Sequence, residues 1–298
     1  MTLDQLRIFV AVAEREHLTR AAADIHLTAS AVSASIRTLE AYYNVALFDR
    51  VGRGIQLTGA GRVFLGEAKA TLARAEAAAL ALSELGGLRR GTLHVQASQT
   101  IANYWLPPRL MRFHDDHPGI EVRLQVGNTQ SVAEAVLEGQ AELGFVEGEI
   151  DAPALNVSLV AEDAMLVVVD RTHPFADGRA LKLSDLASAK WVMRETGSGT
   201  RATLMDALAA RGLSPGELTI ALELPSNEAV VSAIRGASGI AALSSAVVAP
   251  LIARGDLAAA NFALPVRHFY ALHHKERHLS KAAEILLSLN AQPAAFSA

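Results

Sequence analysis

The chain changes pattern once, near residues 86–91, and that break limits its fold more than any other feature. Before it, apolar residues recur at helical spacing of three and four. After it, short apolar runs alternate with amphipathic stretches. Gly86-Gly87 and Arg89-Arg90-Gly91 mark the join. A helical front part followed by a strand–helix alternation implies two units of different class, in line with the domain prior for 298 residues.

In the front part, Leu3, Leu6, Phe9, Val10 and Ala13 predict one buried helical face. A second short helix runs from about Thr19 through Ala21, Ala22 and Ala23 to Ile25. A third begins after Thr28, a residue suited to an N-cap, with Val32, Ile36 and Leu39 turned inward. The run LFDRVGRGIQLTGAG then predicts a small hairpin turning at Gly52 and Gly54. Thr58 is placed to cap a long helix over 59–86. Along it Leu65, Ala68, Leu72, Ala75, Ala79 and Leu82 step by three and four, a heptad seam suited to a two-chain contact or to packing within one domain; the narrow seam favours the former. At this length the helix is also a spacer of roughly 40 Å.

Beyond residue 91 the order is GTLHVQAS as a strand, YWLPPRLMRFHDDHP as a helix entered through Pro107-Pro108, IEVRLQVG as a strand, and so on to a closing helix, SKAAEILLSLN. Such alternation predicts a parallel sheet covered on both faces.

Two short helices, a third with a free outer face and a hairpin make a winged helix-turn-helix. With Val32, Ile36 and Leu39 inside, Ala29, Ser30, Ser33, Ala34, Ser35 and Arg37 remain outside, small enough to enter a major groove and able to meet phosphates or base edges. Arg50 and Arg53 on the hairpin suit DNA backbone or minor groove. A three-helix protein-docking module with a solvated serine face fits the same residue types. Charge leans toward nucleic acid: residues 1–90 carry 11 Lys+Arg against 9 Asp+Glu, while the whole chain has net charge −4.

The stretch LTRAAADIHLTASAVSASIRTLE, with LFDR and LTGAG after it, resembles the LysR-type transcriptional regulators. Ala22 and Ala23 stand where that family has its double alanine. Ser30-Ala31-Val32-Ser33 with Ile36, Leu39 and Glu40 is similar to its recognition helix, Leu47-Phe48 and Arg50 to the start of its wing, and Leu57-Thr58 with Gly61 to the entry of its linker helix. The resemblance implies a winged helix-turn-helix over 1–58, a dimerising linker helix over 59–90 and an α/β effector-binding domain over 91–298, two-lobed like a periplasmic binding protein. Lobe one is expected over 91–161 and 268–298, and lobe two over 162–267. The DNA-contacting set it implies is Thr28, Ser30, Ser33, Ser35, Arg37, Arg50 and Arg53. The family often carries Gln at the position of Ala29 and longer polar residues at Ala34 and Ser35. Fewer direct base contacts then follow, with more weight on DNA shape, on Arg53 and on paired half-sites.

In open α/β sheets, ligands sit beyond the carboxyl ends of strands. That places Ser98, Gln99 and Thr100 after the first strand, and Asn128 and Thr129 after the second, at the expected cleft. The loop Arg194-Glu195-Thr196-Gly197-Ser198-Gly199-Thr200-Arg201 enters a helix. Its glycines free backbone N–H groups, its hydroxyls add donors, and Arg194 and Arg201 add positive potential, so it reads as an anion site, with a solvated, self-capping loop as the alternative. Asn227, opening a further helix, edges the cleft or merely helps to cap. The expected effector is a small anion, with no cofactor.

His268, His273, His274 and His278 lack a carboxylate or Cys to complete a metal set, and a strand-to-helix loop near the end of the chain accounts for them. Neither Ser98 nor Ser198 lies in a nucleophile motif, so no catalytic residue and no enzyme is expected. The chain has no cysteine, and no export signal or membrane-length apolar run is read in it, so a cytoplasmic location is allowed and is the expectation. The expected partners are double-stranded DNA, the effector, RNA polymerase and copies of the chain itself, paired through the linker helix and assembled into a tetramer. The competing expectation is a cytoplasmic small-molecule-binding protein whose N-terminal helices dock a protein.

Overall fold

The computed structural model describes residues 1–51, 54–86, 90–148 and 150–290. Gly52 and Arg53 of the hairpin, and Gly87 and Arg89 at the join, lie outside the described residues.

The N-terminal part is α1 (Leu3–Arg15), α2 (Leu18–Asp24), α3 (Ala29–Tyr43) and an antiparallel hairpin, β1 (Phe48–Val51) with β2 (Gly54–Leu57), followed by α4 (Gly59–Leu85). Thr2 and Gln5 form a capping box that starts α1. The buried face of α1 is Leu6, Phe9, Ala11, Val12 and Ala13, whereas Leu3 is exposed and Val10 half-buried. The expected stripe is wider and rotated because α2, α3 and α4 all pack on this helix. Phe9 sits at the centre, its ring 4.7 Å from that of Phe64 and 5.4 Å from that of Phe48. In α2 the buried pair is Ala21 and Ala22, and Ala23 faces outward, one position off the expected double alanine.

The chain then builds two five-stranded sheets. In order it runs β3 (Gly91–Ser98), α5 (Pro107–Asp116), β4 (Ile120–Gly127), α6 (Thr129–Glu138), β5 (Leu143–Glu147), β6 (Leu155–Asp163), β7 (Met165–Asp170), α7 (Leu183–Ser188), β8 (Lys190–Arg194), α8 (Gly199–Ala209), β9 (Thr219–Leu224), α9 (Asn227–Ile234), β10 (Gly239–Ser244), α10 (Ser245–Ala253), β11 (Leu257–Ala263), β12 (Arg267–His274) and α11 (Lys281–Asn290). Lobe one has the strand order β4-β3-β5-β12-β6, and lobe two β11-β7-β10-β8-β9. The chain passes between lobes at β6–β7 and again at β11–β12. The expected parallel pairing holds for β3 with β4 and β5 and for β8 with β9 and β10, but not throughout. β12 runs antiparallel to β5 and β6, and β7 antiparallel to β10 and β11. A strand that carries the chain from one sheet straight into another has no crossover helix to reverse it, so it pairs antiparallel. His268, His273 and His274 lie on β12 itself rather than in a loop.

α4 belongs to two cores. Its first half packs Phe64, Leu65, Ala68 and Leu72 against the helix-turn-helix core. Lys69 reaches Glu14 of α1 at 2.9 Å. Its second half buries Leu80 completely in the core of lobe one, beside Leu93 and Leu286. Such burial contributes about 1.5–3 kcal/mol. Glu76 meets His94 of β3 at 2.8 Å, and Glu84 accepts the backbone N–H groups of Lys281 and Ala282 at the start of α11. Of the expected seam, Leu65 and Leu72 pack against the helix-turn-helix core but stay only half-buried, while Leu82 is 71% exposed.

Candidate nucleic-acid face and interlobe cleft

α3 is held so that one face is free. Thr28 caps it, accepting the Ala31 N–H at 3.2 Å and lying 3.0 Å from the Ser30 hydroxyl. Val32, Ile36 and Leu39 are buried as expected. Ser30 and Arg37 are exposed, and Ser33 and Ser35 are half-buried. Arg37 donates to the Ser33 hydroxyl at 2.9 Å, so the guanidinium lies along the outer face one turn from the serine. Arg50 is exposed on β1, and Arg53 lies outside the described residues.

Two residues fix the wing against this helix. Glu40 accepts the N–H groups of Leu47 and Phe48, at 2.8 and 3.2 Å. Thr58 accepts from Gly61 N–H and donates to the Ala46 carbonyl. A Cβ on Gly61 would overlap the Leu47 carbonyl oxygen, which is the physical reason for glycine there. Sequence reasoning noted Glu40 and Gly61 without seeing that they lock wing to helix.

The second site lies between the lobes. Carboxyl ends of strands from both sheets converge on it: Ser98 of β3, Gly127 of β4, Glu147 of β5, Arg194 of β8 and Ser244 of β10. A cavity of about 830 Å³ opens between α6 of lobe one and α8 of lobe two, with Thr129, Glu147, Ser198, Gly199 and Arg267 in its wall.

The expected residues fall into two clusters. In the first, Gln99 accepts the Asn227 N–H at 2.7 Å and donates to Glu228 at 3.1 Å, while the Asn227 side chain donates to Thr100 at 3.2 Å. Tyr104 also donates to Glu228, at 3.0 Å; burial, and then this carboxylate, push its phenol up to about 12. Ser98 is buried, and its hydroxyl has no partner among the described residues. In the second cluster Thr129 donates to the Glu147 carbonyl at 2.9 Å. A Cβ on Gly199 would overlap that same carbonyl oxygen and the Thr129 hydroxyl. Between the clusters, Asn128 caps α6 and donates to Glu195 at 3.3 Å, and the Gly197 carbonyl accepts from Gln130.

The arginines differ from expectation. Arg194 is buried and held bidentate by Glu195, with a third bond of 2.8 Å to Asn227. Arg201 pairs with Glu223 and donates to the Arg194 carbonyl. Both charges are spoken for, because each has an acid that was not weighed beside it. Ser198 is buried at the N-cap of α8 but makes no side-chain cap bond. Thr200 is buried and accepts from Arg267 at 2.9 Å.

Arg267 was missed. It is 3% exposed, donates to Asp163 at 2.6 Å, and lies 3.9 Å from Glu147. Its Nη2 and the Glu147 Oε2 are buried without partners among the described residues. Ser244 closes the set by donating to Asp163 at 2.7 Å. The one signal in the sequence was a cation at an inward position of RHFYALHH, in step with Phe269 and Ala271.

Comparison with known proteins matches both halves. The family model for the bacterial regulatory helix-turn-helix protein, lysR family, matches residues 3–62, and that for the LysR substrate binding domain matches residues 86–292. The chain belongs to the LysR family. It is a LysR-type transcription regulator with a helix-turn-helix and an effector-binding domain, and the protein-docking alternative gives way. The HTH-type transcriptional regulator YeiE of Escherichia coli (strain K12) is 36% identical over 284 residues, covering 95% of this chain and 94% of the relative. The regulator CmpR of Synechocystis, an HTH-type transcriptional activator, is 30% identical over 96% of this chain and 93% of its own length. Full-length CbnR complexed with its target DNA shares the fold, with a TM-score of 0.71 at 22% identity over 97% of this chain and 99% of that one. The CcmR regulatory domain of Synechocystis, solved in complex with 2-PG, has a TM-score of 0.62 at 27% identity, covering 68% of this LysR-type chain and 99% of the solved one.

For a DNA-binding regulator the outer face of α3 is directly testable. Arg37→Ala weakens operator binding across sequences and lowers the slope of log affinity against log salt by about 1, the loss of one neutralised phosphate. Gel-shift titrations at several salt concentrations read this, and an unchanged slope would place Arg37 away from the backbone.

Proposed function

We propose that this regulator binds repeated half-sites of double-stranded DNA as a homo-oligomer in the cytoplasm, and that a small anion in the interlobe cleft controls it. The observation that carries the anion reading is the Arg267 guanidinium. It is buried at the cavity wall as the first residue of β12; its Nε is taken by Asp163 and Glu147 lies 3.9 Å away, but Nη2 has no partner among the described residues and is the donor left for an anion. Ser198 and Gly199 at the N-terminus of α8 line the same cavity, and the Ser98 hydroxyl, without a partner among the described residues, ends β3. The CcmR regulatory domain is solved in complex with 2-PG, a small-molecule ligand.

The lobes are already bridged through Gln99, Asn128 and Tyr104. An anion acts by favouring one lobe arrangement over the other, since only differential affinity shifts an equilibrium. Pairing through α4 has exposed surface to use: Val63, Leu82 and Leu85 on the helix, and Met1 and Tyr43 beside it. Two such dimers give a tetramer, and its rearrangement alters DNA bending and contact with RNA polymerase.

The test is calorimetric titration of sulfate, sulfite, phosphate and common carboxylates into the full chain and into Ser98→Ala. Binding of one anion, weakened about tenfold or more in the variant, is expected, the worth of one hydrogen bond to a charged group. Binding only of neutral or cationic compounds overturns the anion reading.

A further inference from the structure

A second cavity, of about 440 Å³, lies at the other end of lobe one, where α4 meets the amino ends of β3 and β5 and the loop from β12 to α11. That volume suits a metabolite-sized ligand. It shares no residue with the cleft cavity. The α4 side is small, with Ala73, Ala77 and Ala81 leaving the room, and Arg74 stands on the same wall.

Arg74 and Arg277 lie close together here, and among the described residues neither has a carboxylate in ion-pair range. Arg277 donates to the carbonyls of Val136 (2.6 Å) and Leu137, closing the C-terminus of α6, and has no carboxylate partner among the described residues. Arg74 has none either, and its stem and the Arg277 head both lie against Gly139. Burial, and then the charge of Arg74, lower the pKa of Arg277.

The histidines add donors. His274 accepts the Glu276 N–H on Nδ1 at 3.2 Å, so its neutral ring carries a proton on Nε2. Burial and then Arg277 lower its pKa, with Glu276 opposing them. His273 Nδ1 is buried with no partner among the described residues. The nearby acids are largely committed. Glu142 accepts the Ser280 N–H, Glu76 takes His94 and Arg123, and Glu84 caps α11; Glu276 is exposed on the rim.

We propose that this cavity is a second ligand site, for a small multivalent anion held between Arg74 of the linker helix and Arg277 and His274 of lobe one. Such a ligand bridges the helix that carries the DNA-binding head to the domain that senses the effector. Occupancy therefore stiffens that joint independently of the cleft.

The probe is pyrophosphate, titrated calorimetrically into the full chain, Arg74→Gln and Ser98→Ala, with the His274 ring resonance followed in parallel. Arg74 is exposed on α4, so its replacement leaves the fold intact. The expected result is binding that survives Ser98→Ala, weakens at least about tenfold in Arg74→Gln, and shifts His274. Absence of binding up to millimolar pyrophosphate overturns the proposal. So does binding that Ser98→Ala abolishes and Arg74→Gln leaves alone, which would assign the anion to the cleft.

Discussion

Arg267→Met lowers the stability of the effector domain by about 3–5 kcal/mol, the cost of breaking a buried charge pair from one side. The side chain is 1% exposed and lies between Asp163 at 5% and Glu147 at 2%. Removing it leaves two carboxylates facing each other in a dry junction, and Thr200 loses its donor. Arg267→Lys keeps the charge but not the fork that reaches Asp163 and Thr200 together, so it falls between. The measurement is simple because both tryptophans, Trp105 and Trp191, are in the effector domain, one in each lobe's core. Urea unfolding followed by their fluorescence reads that domain within the full chain. A loss below about 1 kcal/mol for the Met variant would show that the junction hydrates freely, against the burial that defines it.

Gly199→Ala leaves the protein folded but deaf to its effector. A Cβ there overlaps the Glu147 carbonyl oxygen and the Thr129 hydroxyl, both on lobe one, while Gly199 opens α8 on lobe two. Relief to ordinary contact needs a retreat of roughly 1 Å. Overpacking of this kind costs about 1–3 kcal/mol. An effector bound between the lobes, as proposed, then loses at least about tenfold in affinity, since a site loosened by 1 Å no longer holds its ligand. Gly216→Ala, where a Cβ meets nothing within 4 Å, is the control. Titration of the anion found with the wild type decides it. Unchanged affinity would mean that the ligand does not depend on this interlobe contact.

What could be read in advance follows from how local each cause is. The inward triad Val32, Ile36 and Leu39 and the caps Thr28 and Thr58 are set within a turn or two of chain, and periodicity and residue type disclose them. The same periodicity misplaced part of α1 because Ala11 and Val12 are buried by three separate helices, which no single stripe encodes. Leu65 and Leu72 have the spacing of a seam between chains, yet their neighbours are α1 and the wing's own core. At the cleft, backbone logic brought Ser98, Thr100, Thr129 and Asn227 to the strand ends, but charge bookkeeping needed partners distant in sequence. Asp163 meets Arg267 from 104 positions away. Arg194 and Arg201 looked free because Glu195 and Glu223 became their partners only through the turn after β8 and the register of β9.

Because α4 is anchored by Ala68 in one core and Leu80 in the other, its length is a setting of angle as much as of reach. Each residue of an α-helix advances about 100° around the axis and about 1.5 Å along it. The azimuth at which the wing faces DNA is therefore keyed to the sensor by the count of residues between those two anchors, as a cam is keyed to its shaft. A rotation of lobe one would then reach the wing along one continuous helix.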